Sequence, residues 1–163
     1  MNREELLKQR DKLQKELDKL TELINKKDIR FKPGYGEYYY YLDSNGFIQR
    51  TYWNNGVLDN YKYSVGNCFK TEQEAYDYKE NLIAKQQLKD LALELDNGVE
   101  IDWKALSQHK YYIYITPYTF KLEQGFITTY RDSNIYCLDK NYLSIAKQRM
   151  GEEKLIKLIK SGV

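Results

Sequence analysis

Leucine and isoleucine recur at helical spacing along the first thirty residues, and charged side chains fill most positions between them. This spacing predicts an amphipathic helix over residues 2–29, about three to four heptads long. Such a helix is marginal by itself and needs a partner surface. Because Pro33 and Gly34 separate it from the chain that follows, we favour a coiled coil that makes a homo-oligomer over packing on its own domain. The predicted oligomerisation positions in segment 1–30 are Leu6, Leu13, Leu17, Leu20 and Ile24.

Aromatic residues and turn signals alternate in the next stretch of the chain. A run of four tyrosines predicts a strand over residues 37–42, because tyrosine favours extended backbone. An Asn-Gly pair at 45–46 tolerates the positive φ of a tight turn, after which residues 47–53 return as a second strand. A second turn at residues 54–56 leads into a further extended segment over residues 57–63. The pattern therefore predicts three consecutive antiparallel strands, a β-meander.

A long helical pattern follows the meander. Thr71 and Glu74 have the spacing of a capping box, and an Asn-Gly pair after residue 96 supplies a stop signal. The predicted helix runs over residues 71–96, and we expect it to lie across one face of the meander within a domain over residues 31–98. Its predicted apolar stripe is Ala75, Tyr78, Leu82, Leu88, Leu91, Ala92 and Leu95.

The second half of the chain repeats this order loosely. Cys68 and Cys137 each end an extended segment before a helix, so a degenerate duplication is a hypothesis. A short turn of helix is expected around Trp103. The predicted elements here are strands over 111–118, 126–130 and 134–138, a turn at 123–125, and helices over 141–149 and after Gly151. We therefore predict an α+β fold: an N-terminal coiled-coil helix followed by two small antiparallel β-meander plus helix units, the second over residues 99–163.

The net charge of +2 is distributed unevenly along the chain. Bases outnumber acids by two in residues 1–30 and by four in residues 140–163, whereas acids outnumber bases by four in residues 31–139. Nucleic-acid binding needs cations beside stacking aromatics, so direct nucleic-acid binding is not expected of this acidic middle. No apolar run approaches the roughly 20 residues that cross a bilayer. Together with a charged N-terminus, this predicts a cytoplasmic protein without a membrane partner.

Catalytic and metal-binding groups are scarce in the sequence. Cys68 and Cys137 lie far apart and are expected to be small buried hydrophobic residues. The single histidine, His109, cannot complete a tetrahedral zinc site with them. Glycine-rich phosphate loops do not occur, and the paired carboxylates Glu152 and Glu153 stand at a helix start, where the helix dipole favours negative charge. We therefore predict no enzyme activity, no catalytic residue, no cofactor and no metal.

Three segments in order along the chain carry a resemblance. They are FKPGYGEYYY at residues 31–40, GNCFKTEQEA at residues 66–75 and AKQRMGEEKL at residues 146–155. With the predicted coiled coil before them, these segments resemble uncharacterised phage and prophage accessory proteins of low-GC Gram-positive bacteria. Phe31 stands where a tryptophan is commoner in that group. The resemblance implies a setting, a small viral accessory protein acting inside a bacterial host cell, and no particular reaction.

Tyrosine is in surplus, with seventeen in 163 residues. The strands place tyrosines on both faces of each sheet, so one face can be core while the other recognises a partner. Tyrosine, tryptophan and arginine are the residues enriched at binding hot spots. The alternative is that the tyrosines only cover the sheet and keep their hydroxyl groups in water. The candidate partner-binding residues are Tyr39, Tyr41, Arg50, Tyr52, Trp53, Tyr112 and Tyr114.

Three hypotheses of function come from different classes. We favour a non-enzymatic phage- or prophage-encoded protein that blocks a host macromolecule, such as a nuclease of a defence system, as anti-CRISPR inhibitors do. Its acidic residues would imitate nucleic acid before a basic groove; they are Asp43, Asp59, Glu72, Glu74 and Asp77. One alternative is an oligomeric sponge for a signalling nucleotide, with tyrosines stacking on its bases. The other is a nucleic-acid-binding accessory protein that uses the basic C-terminal residues Lys147, Arg149, Lys154, Lys157 and Lys160.

Overall fold

The computed structural model divides the chain into two compact units, the first over Met1–Ala75 and the second over Tyr76–Val163. Each unit contains one two-stranded antiparallel sheet together with helices, so the α+β class is confirmed. The division falls inside the long helix, whereas the predicted domains divide the chain near residue 98. The residues that the structure describes are 9–10, 13–17, 30–129 and 134–161.

Only part of the predicted N-terminal helix can be compared with the structure. Residues 9–10 and 13–17 are helical, in agreement with the leucine spacing, and Leu13 and Leu17 are exposed there. The other three predicted oligomerisation positions lie outside the described residues; they are Leu6, Leu20 and Ile24. The coiled coil over residues 1–30 therefore stays a prediction.

The first hairpin forms as the turn signal predicted. Strand β1 covers Tyr38–Leu42 and strand β2 covers Ile48–Tyr52, paired antiparallel with Tyr40 opposite Arg50. In the connecting turn, a carboxylate oxygen of Asp43 accepts hydrogen bonds from the backbone N–H groups of Asn45 and Phe47, both at 2.9 Å. Gly46 has a φ of 80°, in the region where a residue without Cβ has no steric cost.

The third predicted strand, over residues 57–63, is wrong, because this segment is helix α1 (Val57–Ser64). Its start is fixed locally, since Asp59 accepts hydrogen bonds from the backbone N–H groups of Asn54 at 2.9 Å and Gly56 at 3.4 Å. The Asn60 side chain also donates to the carbonyl of Gly56 at 2.9 Å. These bonds satisfy groups at the helix N-terminus and outweigh the strand preference of the tyrosines. Residues 38–64 thus form a hairpin followed by a short helix.

Helix α2 covers Glu72–Asp96, close to the predicted span. The capping box is confirmed: the hydroxyl of Thr71 accepts the N–H of Glu74 at 3.2 Å, and the Glu74 carboxylate accepts the N–H of Thr71 at 3.3 Å. The expectation that this helix lies over the first hairpin is wrong for its buried residues beyond Ala75, which belong to the core of the second unit. Leu82 is 37% exposed, and Ala84 takes its place in the core.

The second hairpin is shifted relative to the prediction. Strand β3 covers Lys110–Ile115 and strand β4 covers Leu122–Ile127, with Tyr112 opposite Gly125. The turn predicted at 123–125 is therefore wrong. Those residues are part of β4, and the chain reverses between Thr116 and Lys121, whose backbone N–H and carbonyl are joined at 3.0 Å. Gly125 serves cross-strand packing instead of a turn, because the Tyr112 ring occupies the space a side chain would need.

Two further expectations for the second unit need correction. The segment predicted as a strand over 134–138 makes a single antiparallel bridge, between Tyr111 and Cys137. The helical turn expected around Trp103 is replaced by two turns without a helix, at residues 103–104 and 106–107. The buried Lys110 ammonium holds this loop, since it donates to the carbonyls of Ala105 at 3.0 Å and Thr128 at 2.6 Å.

Two short helices complete the second unit, as predicted. Helix α3 covers Tyr142–Met150 and helix α4 covers Glu152–Lys160. They close a continuous apolar core with α2 and the second hairpin. The buried members of this core are Ala84, Leu88, Leu91, Ala92, Ile113, Leu122, Cys137, Tyr142, Ala146, Leu155 and Leu158.

Candidate functional site

The first hairpin has two chemically different faces. Alternation along the strands puts Tyr39, Tyr41 and Thr51 on one face, which we call the inner face. The residues of the opposite face are exposed or half-buried. We call it the open face, and its members are Tyr38, Tyr40, Leu42, Ile48, Arg50 and Tyr52.

The inner face builds the core of the first unit. Tyr39 is completely buried, and Trp53 is nearly so, with their ring centres 6.0 Å apart in an edge-on arrangement. Tyr41 is half-buried beside them, and the Lys62 ammonium lies 3.5 Å from the centre of its ring. The prediction that Tyr39 and Trp53 belong to a recognition surface is therefore wrong, because the register of the hairpin turns both side chains inward.

Asp59, predicted as a surface acid, is also buried and organises this core. One carboxylate oxygen accepts the hydroxyl of Tyr39 at 2.7 Å, and the other accepts the N–H of Asn54. Burial by itself raises the pKa of Asp59, but the hydrogen bonds from Asn54, Tyr39 and Gly56 outweigh it and hold the pKa below its ordinary value. Burial, and then the bond to Asp59, raises the pKa of Tyr39. Asp59 thus has a structural role.

The other acidic candidates are mostly bonded within their own units. The Asp43 carboxylate accepts N–H groups of the hairpin turn, first that of Phe47, and its pKa is lowered as a result. Glu74 caps α2, and Asp77 pairs with Lys157 at 2.6 Å. Glu72 is exposed in the first turn of α2. These acids therefore have different local partners, and the structure does not show them as one acidic patch.

The open face joins tyrosine rings to a single cation. The Arg50 guanidinium lies 4.2 Å from the centre of the Tyr38 ring and 5.9 Å from that of Tyr40. Tyr38 is 56% exposed and Tyr52 is 55% exposed, and the two are directly opposite each other across the strands. Stacking over an aromatic face holds a guanidinium in one orientation while its N–H groups stay available at the edge. This arrangement can recognise a carboxylate flanked by apolar groups.

Sequence reasoning found two of the six open-face residues, Arg50 and Tyr52. It missed Tyr38, Tyr40, Leu42 and Ile48, because it combined Tyr39 and Tyr41 from the inner face of β1 with residues of β2 that lie on the opposite face. The signal was present in the alternation of β1 together with the Asn-Gly turn, which fixes the register. A hairpin with this turn places Leu42 opposite Ile48 and so puts Tyr40 opposite Arg50.

The candidates on the second hairpin pack within their own sheet. The Tyr112 ring lies over Gly125 and beside Tyr136, with ring centres 5.8 Å apart. The Tyr114 hydroxyl donates to Glu123 at 3.1 Å, and this bond raises the pKa of Tyr114. Both tyrosines are half-buried. They cover their sheet, as the alternative interpretation expected, and they present less ring surface than the open face of the first unit.

The thiol groups of both cysteines are buried. Burial raises the pKa of Cys68 to about 11 and that of Cys137 to about 12, so both are protonated near neutral pH. Their prediction as small buried hydrophobic residues is confirmed. His109 is exposed, and its ring lies 4.4 Å from that of Phe126.

The basic residues of the C-terminal helices already have partners in the second unit. Lys147 pairs with Glu152 at 2.9 Å, and Arg149 forms a two-point contact with Glu94, which lowers the pKa of that carboxyl. Similar contacts join Lys154 to Gln87, Lys157 to Asp77 and the Lys160 ammonium to the Phe120 ring. Three of the five predicted basic residues therefore pair with carboxylates, whereas Lys154 and Lys160 contact uncharged groups.

Two other kinds of feature, membrane-spanning helices and metal-binding clusters, are absent from the described residues. No helix in the described part of the chain is both long and apolar enough to cross a bilayer. Within residues 9–10, 13–17, 30–129 and 134–161, no group of three or more His, Cys, Asp or Glu side chains could hold a metal ion. No family model matches this chain, and no curated protein or solved structure matches it either.

Proposed function

We propose that this protein acts by binding a host protein through the open face of its first hairpin, and that it thereby blocks the surface of that protein. The proposal carries forward the non-enzymatic, phage-type anti-defence role expected from the sequence. The observation that carries it is the exposed Tyr38, Arg50 and Tyr52 side chains on one sheet face. The setting inside a bacterial host is supported by the resemblance of three segments to phage accessory proteins.

The composition of the open face favours a protein partner. Tyrosine offers a large contact area that needs only two side-chain torsions to be fixed, so little entropy is lost on binding. Arg50 is already oriented by the Tyr38 ring. Tyrosine and arginine supply a disproportionate share of interface energy when they lie at the centre of a contact.

The charge of the open face defines the partner further. Among the described residues, Arg50 has contacts with tyrosine rings and no carboxylate partner. Its N–H groups are therefore available to an acidic side chain on the bound protein. The acid-mimicry mechanism expected from the sequence has weaker support, since Asp59 is buried and Asp43, Glu74 and Asp77 have partners of their own. We propose an acidic, partly apolar patch as the target of the open face.

The predicted oligomerisation helix would add to this mode of action. If residues 1–30 join two or more copies, each assembly would carry several open faces. Linked binding sites hold a multivalent target far more tightly than a single site does. A modest affinity of each open face would then be enough for tight binding, because several linked faces bind the target together.

Site-specific crosslinking tests the proposal directly. A photoreactive phenylalanine analogue replaces Tyr52 on the open face, and in a matched control it replaces Tyr118, which is 94% exposed in the other unit. Both full-length proteins are illuminated in lysate of a bacterial host. We expect a discrete crosslinked host protein at position 52 and not at position 118. The same product at both positions would contradict the assignment of the face.

The captured protein is then purified and its affinity measured. We expect Arg50→Ala and Tyr38→Ala each to weaken binding by about tenfold or more, as is usual for truncated hot spots. Tyr118→Ala should leave the affinity unchanged. Because Arg50 is exposed, Arg50→Ala should stay folded, which circular dichroism checks. Wild-type affinity in both open-face variants would refute the proposed surface.

A further inference from the structure

A cleft of about 550 Å³ opens in the second unit, beside the last two turns of α2. We call it the α2 cleft. The residues that define it here are Ala92, Leu93, Asp96, Val99, Ile101 and Tyr136. Most of these side chains are apolar, and the volume falls within the range of about 300–1,000 Å³ that is common for small-molecule sites.

Local backbone geometry forms the cleft. Asn97 and Gly98 both have positive φ, at 48° and 78°, so the chain turns back sharply after α2. The N–H of Val99 donates to the carbonyl of Asp96 at 2.9 Å and holds this turn. Val99 and Ile101 then run beside the end of the helix, and Leu93 on the helix itself is 70% exposed. The result is an apolar concavity that is open to solvent.

Asp96 places a carboxylate in this apolar setting. Only 8% of the residue is exposed. Its Oδ1 accepts the N–H of Leu138 at 2.7 Å and the thiol of Cys137 at 3.3 Å. Among the described residues, Oδ2 has no hydrogen-bond partner. Every fully buried side-chain oxygen there has such a partner, so Oδ2 is accessible to solvent. The carboxylate is thus fixed by one oxygen and can receive a donor from the cleft at the other.

The electrostatics of the cleft favour a cation. The C-terminal end of a helix carries partial negative charge, and the last turn of α2 contains no basic residue to offset it. Glu100 adds a second carboxylate to the lining, and Lys89 is the basic residue opposing them. The negative charges of Asp96, Glu100 and the C-terminal end of α2 outweigh the positive charge of Lys89, so the cleft has a net negative charge. A low-dielectric apolar wall strengthens the attraction for a positive group placed near Asp96.

We propose that the α2 cleft is a second binding site, separate from the open face, for a small molecule that joins an apolar ring to a primary amine. The ring would occupy the space between Leu93, Val99 and Ile101, and the ammonium would donate to Oδ2 of Asp96. An aromatic ring would also have the Tyr136 side chain as part of its wall.

Three probes that share the indole ring and differ in charge test this site: tryptamine, tryptophol and indole-3-propionate. Their binding to the ¹⁵N-labelled full chain is followed by backbone amide chemical shifts. We expect tryptamine to bind about tenfold or more tightly than indole-3-propionate, with tryptophol between them. The largest shifts should fall on residues 92–101 and 135–136. Equal affinities for the three probes, shifts elsewhere, or no binding at about 10 mM would overturn the proposal.

Two variants separate the charge from the apolar contact. Asp96→Asn keeps an acceptor oxygen for the N–H of Leu138 and should reduce the preference for tryptamine over tryptophol to about twofold or less. Leu93→Ser should weaken all three probes by a similar factor. Leu106→Ser is the matched control, since Leu106 is also 70% exposed but does not line the cleft, and it should change nothing. Retained amine preference in Asp96→Asn, or equal effects of the two serine variants, would contradict the site.

Discussion

Both units of this protein place an aromatic hairpin beside a single antiparallel bridge. Tyr40 of the first hairpin bridges Phe69, and Tyr111 of the second bridges Cys137. Beneath the hairpins the two units differ. The first buries a cluster of Tyr39, Trp53 and Cys68 around the Asp59 carboxylate. The apolar core of the second has eleven buried members among the described residues, and they come from three helices, the hairpin and Cys137.

This contrast reflects how each hairpin is stabilised. A small domain cannot remove much apolar surface from water, so single polar contacts carry a larger share of its stability. In the first unit, one carboxylate joins the core tyrosine to the start of α1. In the second unit, dense apolar packing stabilises the hairpin, and the hairpin tyrosines only cover the sheet.

Truncating the apolar core should give the largest loss, and it should appear in the second unit. Leu155 is completely buried, so Leu155→Ala is expected to lower the free energy of unfolding by about 3 kcal/mol through lost burial and a cavity. The two tryptophans report on the units separately, Trp53 on the first and Trp103 on the second. With 5-fluorotryptophan labelling, the ¹⁹F signal of Trp103 should melt earlier. A larger decrease in the unfolding midpoint reported by Trp53 than in that reported by Trp103 would contradict the assignment of Leu155 to the core of the second unit.

In the first unit, removing one carboxylate should have a comparable but smaller effect. Asp59→Ala leaves the buried hydroxyl of Tyr39 and the N–H of Asn54 without their acceptor, and we expect a loss of about 2 kcal/mol. The ¹⁹F signal of Trp53 should report it. Asp43→Ala is the control, because Asp43 also accepts backbone N–H groups but lies in a solvent-accessible turn. The two substitutions having equal effects would show that burial of Asp59 is unimportant.

The Asp59 carboxylate should also make the first unit sensitive to acid. Its pKa is lowered on folding, so its contribution is present above the ordinary pKa of an aspartate, about 4, and is lost as the pH falls through the folded value. Asp59→Asn cannot titrate. We therefore expect the stability difference between the wild type and Asp59→Asn to be constant near pH 7 and to shrink below about pH 4. Denaturant titrations at stepped pH measure it, and a difference that grows on acidification would have the wrong sign.

The smallest expected effect tests the second hairpin. A Cβ on Gly125 would lie 2.7 Å from the Tyr112 ring, so Gly125→Ala requires that ring to move and should cost about 1 kcal/mol. In a Tyr112→Ala background the clash is absent, and the same change should cost clearly less. A double-mutant cycle on thermal unfolding measures this coupling. Additive effects would mean that Gly125 is needed for its backbone conformation and not for the tyrosine above it.

Features that depend on neighbours in sequence could be predicted well. The Asn-Gly turn of the first hairpin, the Thr71–Glu74 capping box and the end of α2 each follow from hydrogen bonds or φ angles within a few residues. Residues 57–63 show the limit of propensity, because their tyrosines favour a strand while Asp59, three residues after Gly56, favours a helix start. That competing signal was local and could have been found.

The candidate site was less predictable because face assignment depends on register. Choosing tyrosines by number brought together Tyr39, which is buried, and Tyr52, which is exposed. Pairing β1 with β2 would have corrected this, but the tertiary reason for the burial of Tyr39 is the Asp59 acceptor twenty residues away. The α2 cleft was beyond reach of the sequence, since it depends on the segment after α2 meeting residues 135–136.

The α+β class, the first hairpin, the limits of α2 and the helical C-terminus could be predicted, because short-range hydrogen bonds and apolar spacing specify each of them. Long-range packing fixes which tyrosines face solvent, which core receives α2 and where an acid is buried. These outcomes depend on contacts between residues far apart in the chain, such as Asp96 with Leu138. The free energy of burying a polar group is set by whether such a distant partner arrives.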